Sequence, residues 1–321
     1  MRTKHSSKAE SCVEDAAGKF IHDRIESVFS FGDGRINDTY RLNTDKAGYI
    51  CQRIRGSMDT GILEHNYLLY SEAFEKAGLL FPKWMKTEED SFFYTDADGQ
   101  HWRMYPFING EISTIPLDRD MIFACGKGLA GLHRILQTLW EKPLAVFPMH
   151  HDLDYYYDHY LWVLNNDLSG EERDKKLEKY ISIKIRDFLD IRTDRSAVIH
   201  GDPKLANILF ERGKIKAFID LDTVMPGSLS EDIADCARSC CENKGNIDAD
   251  MLQVFLQGYQ SEGADLLSSE EAELLPQMIS KICFELGLRY YTDAVAKKKS
   301  FKEKHPGYLL NKARMNLMKS E

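Results

Sequence analysis

Apolar positions in the first third of the chain fall in short alternating runs, whereas later ones recur every three to four residues. Residues 1–19 read as a flexible, largely polar N-terminus. Phe20, Ile21, Ile25 and Val28 recur at helical spacing and predict a short amphipathic helix over 20–29. Strand-like runs flank Gly32-Asp33-Gly34, and Tyr49–Ile54 predicts a further strand. Leu63, Tyr67, Tyr70 and Phe74 predict a helix from about Ile62 to Ala77, ended by Gly78. Phe92–Thr95 and His101–Tyr105 flank Asp96-Ala97-Asp98-Gly99 as a hairpin. Past Pro106–Gly110 the pattern turns helical, at about 118–138 and 171–191, with Tyr155, Tyr156, Tyr157 and Trp162 between as packing aromatics or a sugar-stacking platform. Ser268 and Glu271 form a capping box that opens a long helix containing Pro276. The pattern predicts an α+β chain in two lobes, a small strand-rich lobe over 20–108 and a larger, mainly helical lobe over 109–321.

Within the helical part lies one hairpin. Ile208–Phe210 and Ile215–Ile219 flank Glu211-Arg212-Gly213-Lys214, read as a four-residue loop. Pairing Phe210 with Ile215 sets Asp220 opposite Leu205. Asn207 and Asp220 then point to one face as diagonal neighbours, roughly 7–8 Å apart at the backbone. An amide oxygen and a carboxylate at that distance suit one hard cation. His200-x-Asp202-x-x-x-x-Asn207 is the spacing with which kinases place a hydroxyl-orienting Asp and a magnesium-binding Asn, and Asp220 stands where a second metal-binding Asp belongs.

Other candidates gain meaning beside that hairpin. Glycines at 32 and 34 let backbone amides approach phosphate oxygens, although Gly-Asp-Gly is also a plain turn. The following strand has no lysine for a phosphate; Gln52 and Arg53 are the alternatives, on opposite faces. Asp232 and Asp235 begin a helix, suited to its dipole or to a bond back onto the catalytic loop. Glu285, Arg289 and Asp293 share one face of the long helix, as a solvated stripe or as the polar lining of a cleft for a hydroxylated substrate.

Composition narrows the partners. The 321 residues are 43% hydrophobic and 29% charged, with a net charge of −9, so no basic footprint marks a nucleic acid or an anionic membrane. No apolar run approaches the roughly 20 residues of a membrane span, and the start lacks the apolar core of a signal peptide. Seven cysteines without disulfide or metal spacing, Cys236, Cys240 and Cys241 among them, read as helical core thiols. The expected location is cytoplasmic.

From about residue 20 onwards the chain resembles the aminoglycoside phosphotransferase/choline kinase group, and within it the N-acetylhexosamine 1-kinases. The residues that carry the likeness are Val198–Asp222, Gly32–Tyr40, Leu129-Ala130-Gly131-Leu132-His133, Asp220–Ser228, Glu271–Pro276 and Gly287–Tyr290. The resemblance implies a protein-kinase-like fold, with ATP and Mg2+ as cofactors and a nucleotide and a small sugar as partners. Asp202 would be the catalytic base, and Asn207 and Asp220 the magnesium ligands. Amides of Asp33, Gly34, Arg35 and Ile36 would cradle phosphate and Tyr105, Phe107 and Ile108 would border adenine, while the missing lysine leaves the α/β-phosphate contact open between Arg53 and Gln52. Glu285, Arg289 and Asp293 would line the acceptor site. Asp222, where protein kinases have glycine, is open between a second metal ligand and a structural acceptor. The implied product is a sugar 1-phosphate, from a monomer or homodimer. The alternatives are a kinase for an aminoglycoside, choline or another hexose, and a non-catalytic sensor of sugar or nucleotide.

Overall fold

The structure, a computed structural model, describes residues 8–32, 37–113, 116–168, 173–297, 299–301, 305 and 307–320. Two compact units divide the chain, Met1–Gly110 and Glu111–Glu321. The first contains α1 (Lys8–Ala17), β1 (Ile25–Ser30), β2 (Asp38–Thr44), β3 (Gly48–Arg53), α2 (Thr60–Lys76), β4 (Tyr94–Thr95) and β5 (His101–Pro106). Its strands form one antiparallel sheet in the order β1-β2-β3-β5-β4.

Residues 20–29 hold strand β1 rather than a helix. The reason is a bulge between Ile25 and Ser27. It places Ile25 opposite Thr44 and Val28 opposite Leu42, so two residues three apart share one face, as they would on a helix. The tail expected over 1–19 is helical from Lys8, and Val13, Ala16 and Ala17 are buried with Leu42, Cys51, Trp102 and Met104 of the sheet. Apolar spacing missed α1 because its helical signal rests on three small or branched residues among many polar ones.

The opposite face of the sheet meets α2 through Trp84. Its ring stacks on Tyr67 of α2 at 4.2 Å, and the Arg103 guanidinium of β5 lies 4.6 Å from the centre of the same ring. Helix α2 is capped by the Asp59 carboxylate and closes before Gly78, whose φ of +69° is the left-handed stop expected of glycine.

The second unit contains α3 (Arg119–Leu136), α4 (Leu153–Asn166), α5 (Lys175–Leu189), β6 (Ala197–Ile199), β7 (Ile208–Glu211), β8 (Lys214–Phe218), β9 (Met225–Gly227) and α6 (Leu229–Cys240). It continues with β10 (Glu242–Asn243), β11 (Asn246–Ile247), α7 (Ala249–Gly263), α8 (Ser269–Val295) and α9 (Tyr308–Met318). The capping box at Ser268 and Glu271 starts α8. Helices α4, α5, α8 and α9 share a core built on Tyr160, Ile181, Phe284, Leu288 and Leu317.

Helices α3 and α7 approach closely through two glycines. A Cβ at Gly126 would lie 2.0 Å from the Phe255 carbonyl oxygen, and one at Gly258 would lie 2.1 Å from that of Phe123. All seven cysteines are free thiols; Cys12 is exposed and the other six are buried. Among the described residues no helix is long and apolar enough to cross a membrane.

Candidate active site

Two short ladders bring the chemistry-bearing loops together. Strand β6 pairs with β9, and β7 with β8. The loop 200–207 therefore leaves one ladder and enters the other, and the segment 219–224 returns between the same two. The Thr223 hydroxyl donates to the His200 carbonyl at 2.8 Å, and the Ile219 amide donates to the Asn207 carbonyl at 2.9 Å. Gly201 has a φ of +84°, and a Cβ there would sit 2.4 Å from the Thr223 carbonyl oxygen. Only glycine fits.

The hairpin keeps the expected partners Phe210 and Ile215, but its loop is shorter. Glu211 pairs with Lys214, leaving Arg212 and Gly213 as a two-residue turn with φ values of +53° and +75°. A bulge between Leu209 and Phe210 then shifts the register by one. Asn207 ends a 3-10 turn, Leu205–Asn207, and Asp220 precedes another, Leu221–Thr223, so neither occupies a strand. Asp220 is exposed in a left-handed conformation, φ +62°. Asp tolerates that region better than most residues, and such backbone strain gathers at functional sites.

Asn207 Nδ2 donates to the Asp202 carbonyl at 2.8 Å and to its carboxylate at 3.2 Å. Both amide protons are thereby committed to Asp202, and the amide oxygen remains as the acceptor. Lys204 donates to the Asp202 carboxylate. Burial lowers the Lys204 pKa, but Asp202 and Asp220 beside it outweigh this and hold it above the usual lysine value. Lys204 escaped the sequence reading, although its place two residues after the candidate base was the available signal.

His200 is fully buried. Its Nε2–H donates to the Ile219 carbonyl at 3.1 Å, and Nδ1 accepts the Asp202 amide at 3.3 Å. Burial lowers its pKa, so it is a neutral brace for the loop. Behind it Asp232 accepts from the His200 and Gly201 amides at 2.9 and 2.8 Å and from His133 Nε2 at 2.8 Å. His133 meets the Tyr259 hydroxyl through Nδ1 at 2.9 Å. The close contact of α3 with α7 thus braces the loop 200–207, and of the two roles open to Asp232 it takes the bond back to that loop.

The acceptor candidates lie on α8. Glu285 is buried; its Oε1 accepts from Arg289 at 3.4 Å and from His151 Nδ1 at 3.2 Å. Burial raises the Glu285 pKa, but the positive neighbours His151 and Arg289 prevail and lower it. The Arg289 guanidinium lies 4.6 Å from the Tyr156 ring and 5.5 Å from that of Phe301, within the electrostatic reach of Asp202. The Asp293 carboxylate accepts the Ser300 and Phe301 amides at 2.6 and 2.5 Å, which sets Phe301 against Arg289.

In the first unit, Asp33, Gly34, Arg35 and Ile36 lie outside the described residues. Arg53 ion-pairs with Asp38 at 2.5 Å on the face that carries Trp102. Gln52, on the α2 side, accepts from Arg103 Nε and Nη2 at 3.0 and 2.6 Å and donates to Thr39 at 3.0 Å. Phe107 donates its amide to the Gly48 carbonyl at 2.9 Å and stacks under the Arg41 guanidinium at 3.4 Å. Tyr105 and Ile108 are half-buried at and beyond the end of β5.

A family model described as "Phosphotransferase enzyme family" matches residues 28–267. Among solved structures, an amicoumacin kinase bound to AMP-PNP, Ca2+ and its antibiotic is similar at a TM-score of 0.67 and 14% identity, covering 97% of this chain and 93% of that one. A microcompartment-associated aminopropanol kinase is similar at a TM-score of 0.67 and 16% identity, with 96% and 95% covered. A choline kinase from Streptococcus pneumoniae gives a TM-score of 0.63 at 15% identity, with 98% and 99% covered. The small antiparallel-sheet unit and the helical unit are those of a kinase-like fold, as the resemblance implied.

Proposed function

The chain belongs to the phosphotransferase enzyme family, and from that premise we propose an ATP- and magnesium-dependent kinase that phosphorylates the anomeric hydroxyl of an N-acetylhexosamine. The observation that carries the acceptor class is the Arg289–Glu285 pair beside Tyr156 and Phe301. A guanidinium close to the base disfavours a cationic acceptor such as choline or an aminoglycoside. The pair offers donors and acceptors suited to hydroxyl and acetamide groups, and the aromatic rings suit the apolar face of a sugar.

In this reading the anomeric oxygen attacks the γ-phosphorus, its proton passes to the Asp202 carboxylate, and the bond to the bridging oxygen of ADP breaks. Lys204 balances the charge of Asp202 before transfer. The donor set fits magnesium: the Asn207 amide oxygen and the Asp220 carboxylate are hard oxygens, and such ions take few protein ligands because phosphates complete the shell. Asn207 and Asp220 would hold the ion, which supplies neutralisation of phosphate charge. For the phosphate contact on the sheet we assign Gln52 with Arg103 rather than Arg53, whose guanidinium is engaged by Asp38 on the other face.

ADP release with Mg-ATP against GlcNAc, GalNAc, glucose, choline and kanamycin tests the reading. Turnover with the N-acetylhexosamines is expected, giving a phosphate stable to base and labile to mild acid. Turnover confined to choline or kanamycin would overturn the acceptor assignment.

A further inference from the structure

The turn before α4 carries two adjacent histidines that the chemistry above does not use. His150 Nε2–H donates to the Gly201 carbonyl at 2.5 Å, next to Asp202. His151 Nδ1 meets both carboxylate oxygens of Glu285, at 3.2 and 3.4 Å. The rings are 4.0 Å apart. One imidazole holds the loop with the base, and the next holds the helix with the acceptor residues.

This turn is strained and anchored. His151 has a φ of +53°, unusual for a residue with a side chain. Arg195 ties it down, donating to the His150 carbonyl at 2.8 Å and to Glu231 at 2.6 Å. His151 is 6% exposed, and its Nε2 is buried with no partner among the described residues. A local structure that accepts backbone strain and an orphaned ring nitrogen is better explained by what its other nitrogens hold than by packing.

We propose that the His150–His151 turn is a positioning element that registers the acceptor carboxylate of Glu285 with the base Asp202. This rests on the reading of Glu285 and Arg289 as the acceptor site. The electrostatics agree with the geometry. Burial opposes a charge on His151, but Glu285, then Glu231 and Asp235 of α6, raise it to about 9. Burial and the neighbouring His151 push His150 down to about 3, so it stays neutral and donates only through Nε2. The charged groups around the pair are Glu285 and Arg289 from α8, Glu231 and Asp235 from α6, and Arg195. Protonated His151 holds the Glu285 carboxylate through a charged contact that weakens when the proton is lost. The wild-type kcat/KM for the acceptor should therefore fall above about pH 9, as His151 loses its proton.

The test is a double-mutant cycle in the full chain, with nucleotide affinity checking the fold. His151→Asn removes the charge while tolerating the left-handed backbone. It should raise acceptor KM about tenfold or more, leave ATP KM within about twofold, and abolish the alkaline fall. In a Glu285→Gln background the same change should cost less than about twofold, because the two residues act through one contact. His150→Phe, which keeps a ring but loses the donor, should lower kcat with little change in acceptor KM. If Glu285→Gln raises acceptor KM while His151→Asn does not, or the two effects multiply, the positioning role is overturned and the acceptor site stands. If Glu285→Gln leaves acceptor KM unaltered, the acceptor reading itself falls. Should the His151 variant not fold, a flat wild-type profile across pH 8–10 would overturn the role on its own.

Discussion

Two buried carboxylates of the second unit, Asp232 and Glu285, each hold a histidine, yet their surroundings differ in kind. Asp232 is fully buried and accepts from two backbone amides as well as His133. Glu285 is 1% exposed and its partners are side chains, His151 and Arg289. Backbone donors cannot turn away, so Asp232 is fixed with the loop it braces. Side-chain donors can exchange one acceptor for another, which leaves Glu285 able to meet a ligand. Partner type, more than burial, separates the carboxylate that holds a site from one that serves it.

The largest effect on turnover is expected at Asp202 rather than at Asp232 or Glu285. Asp202→Asn should lower kcat by about 10²–10⁴-fold with nucleotide affinity kept; undiminished turnover would remove the assignment. Next comes Asp232→Asn, which turns an amide group toward donors that need an acceptor. It should cost about 3–5 kcal/mol of stability, read as a lower urea midpoint. A loss of activity at full stability would mean that Asp232 acts in the chemistry rather than behind it. Glu285→Gln should reverse that balance, with a smaller stability loss and acceptor KM raised about tenfold. Equal destabilisation by both variants would erase the distinction drawn here.

The smallest effect is a tilt of stability with pH. His151, raised to about 9 from an ordinary 6.5, contributes stability that is fully present below pH 6.5 and lost as pH rises through 9. His150, depressed to about 3, contributes stability present above pH 6.5 and lost as pH falls through 3. His151→Asn should flatten the alkaline side of the urea-midpoint profile and leave the acid side sloping. A variant that flattens both sides would show that the charge of His151, rather than burial, depresses His150.

Much of the loop chemistry was legible because it is local. The pairing of Phe210 with Ile215 and the capping box follow from residues a few positions apart. The spacing of Asn207 and Asp220 points to both residues, yet they reach their places through 3-10 turns and a bulge that strand alternation does not describe. The bulge in β1 disguised a strand as a helix for a similar reason. His150 and His151 carried no signal at all. Their partners Gly201 and Glu285 lie 51 and 134 residues away, and only tertiary folding makes them neighbours. Arg103 was hidden likewise, since its partner Gln52 stands across a strand pair and 51 residues back.

The distribution of thiols has a practical side. Cys12 on α1 is exposed and the other six cysteines are buried, so a maleimide dye should couple selectively at one native position. Because α1 packs on the sheet of the first unit, that dye would report on the unit's motions and hydrodynamics without any engineered substitution.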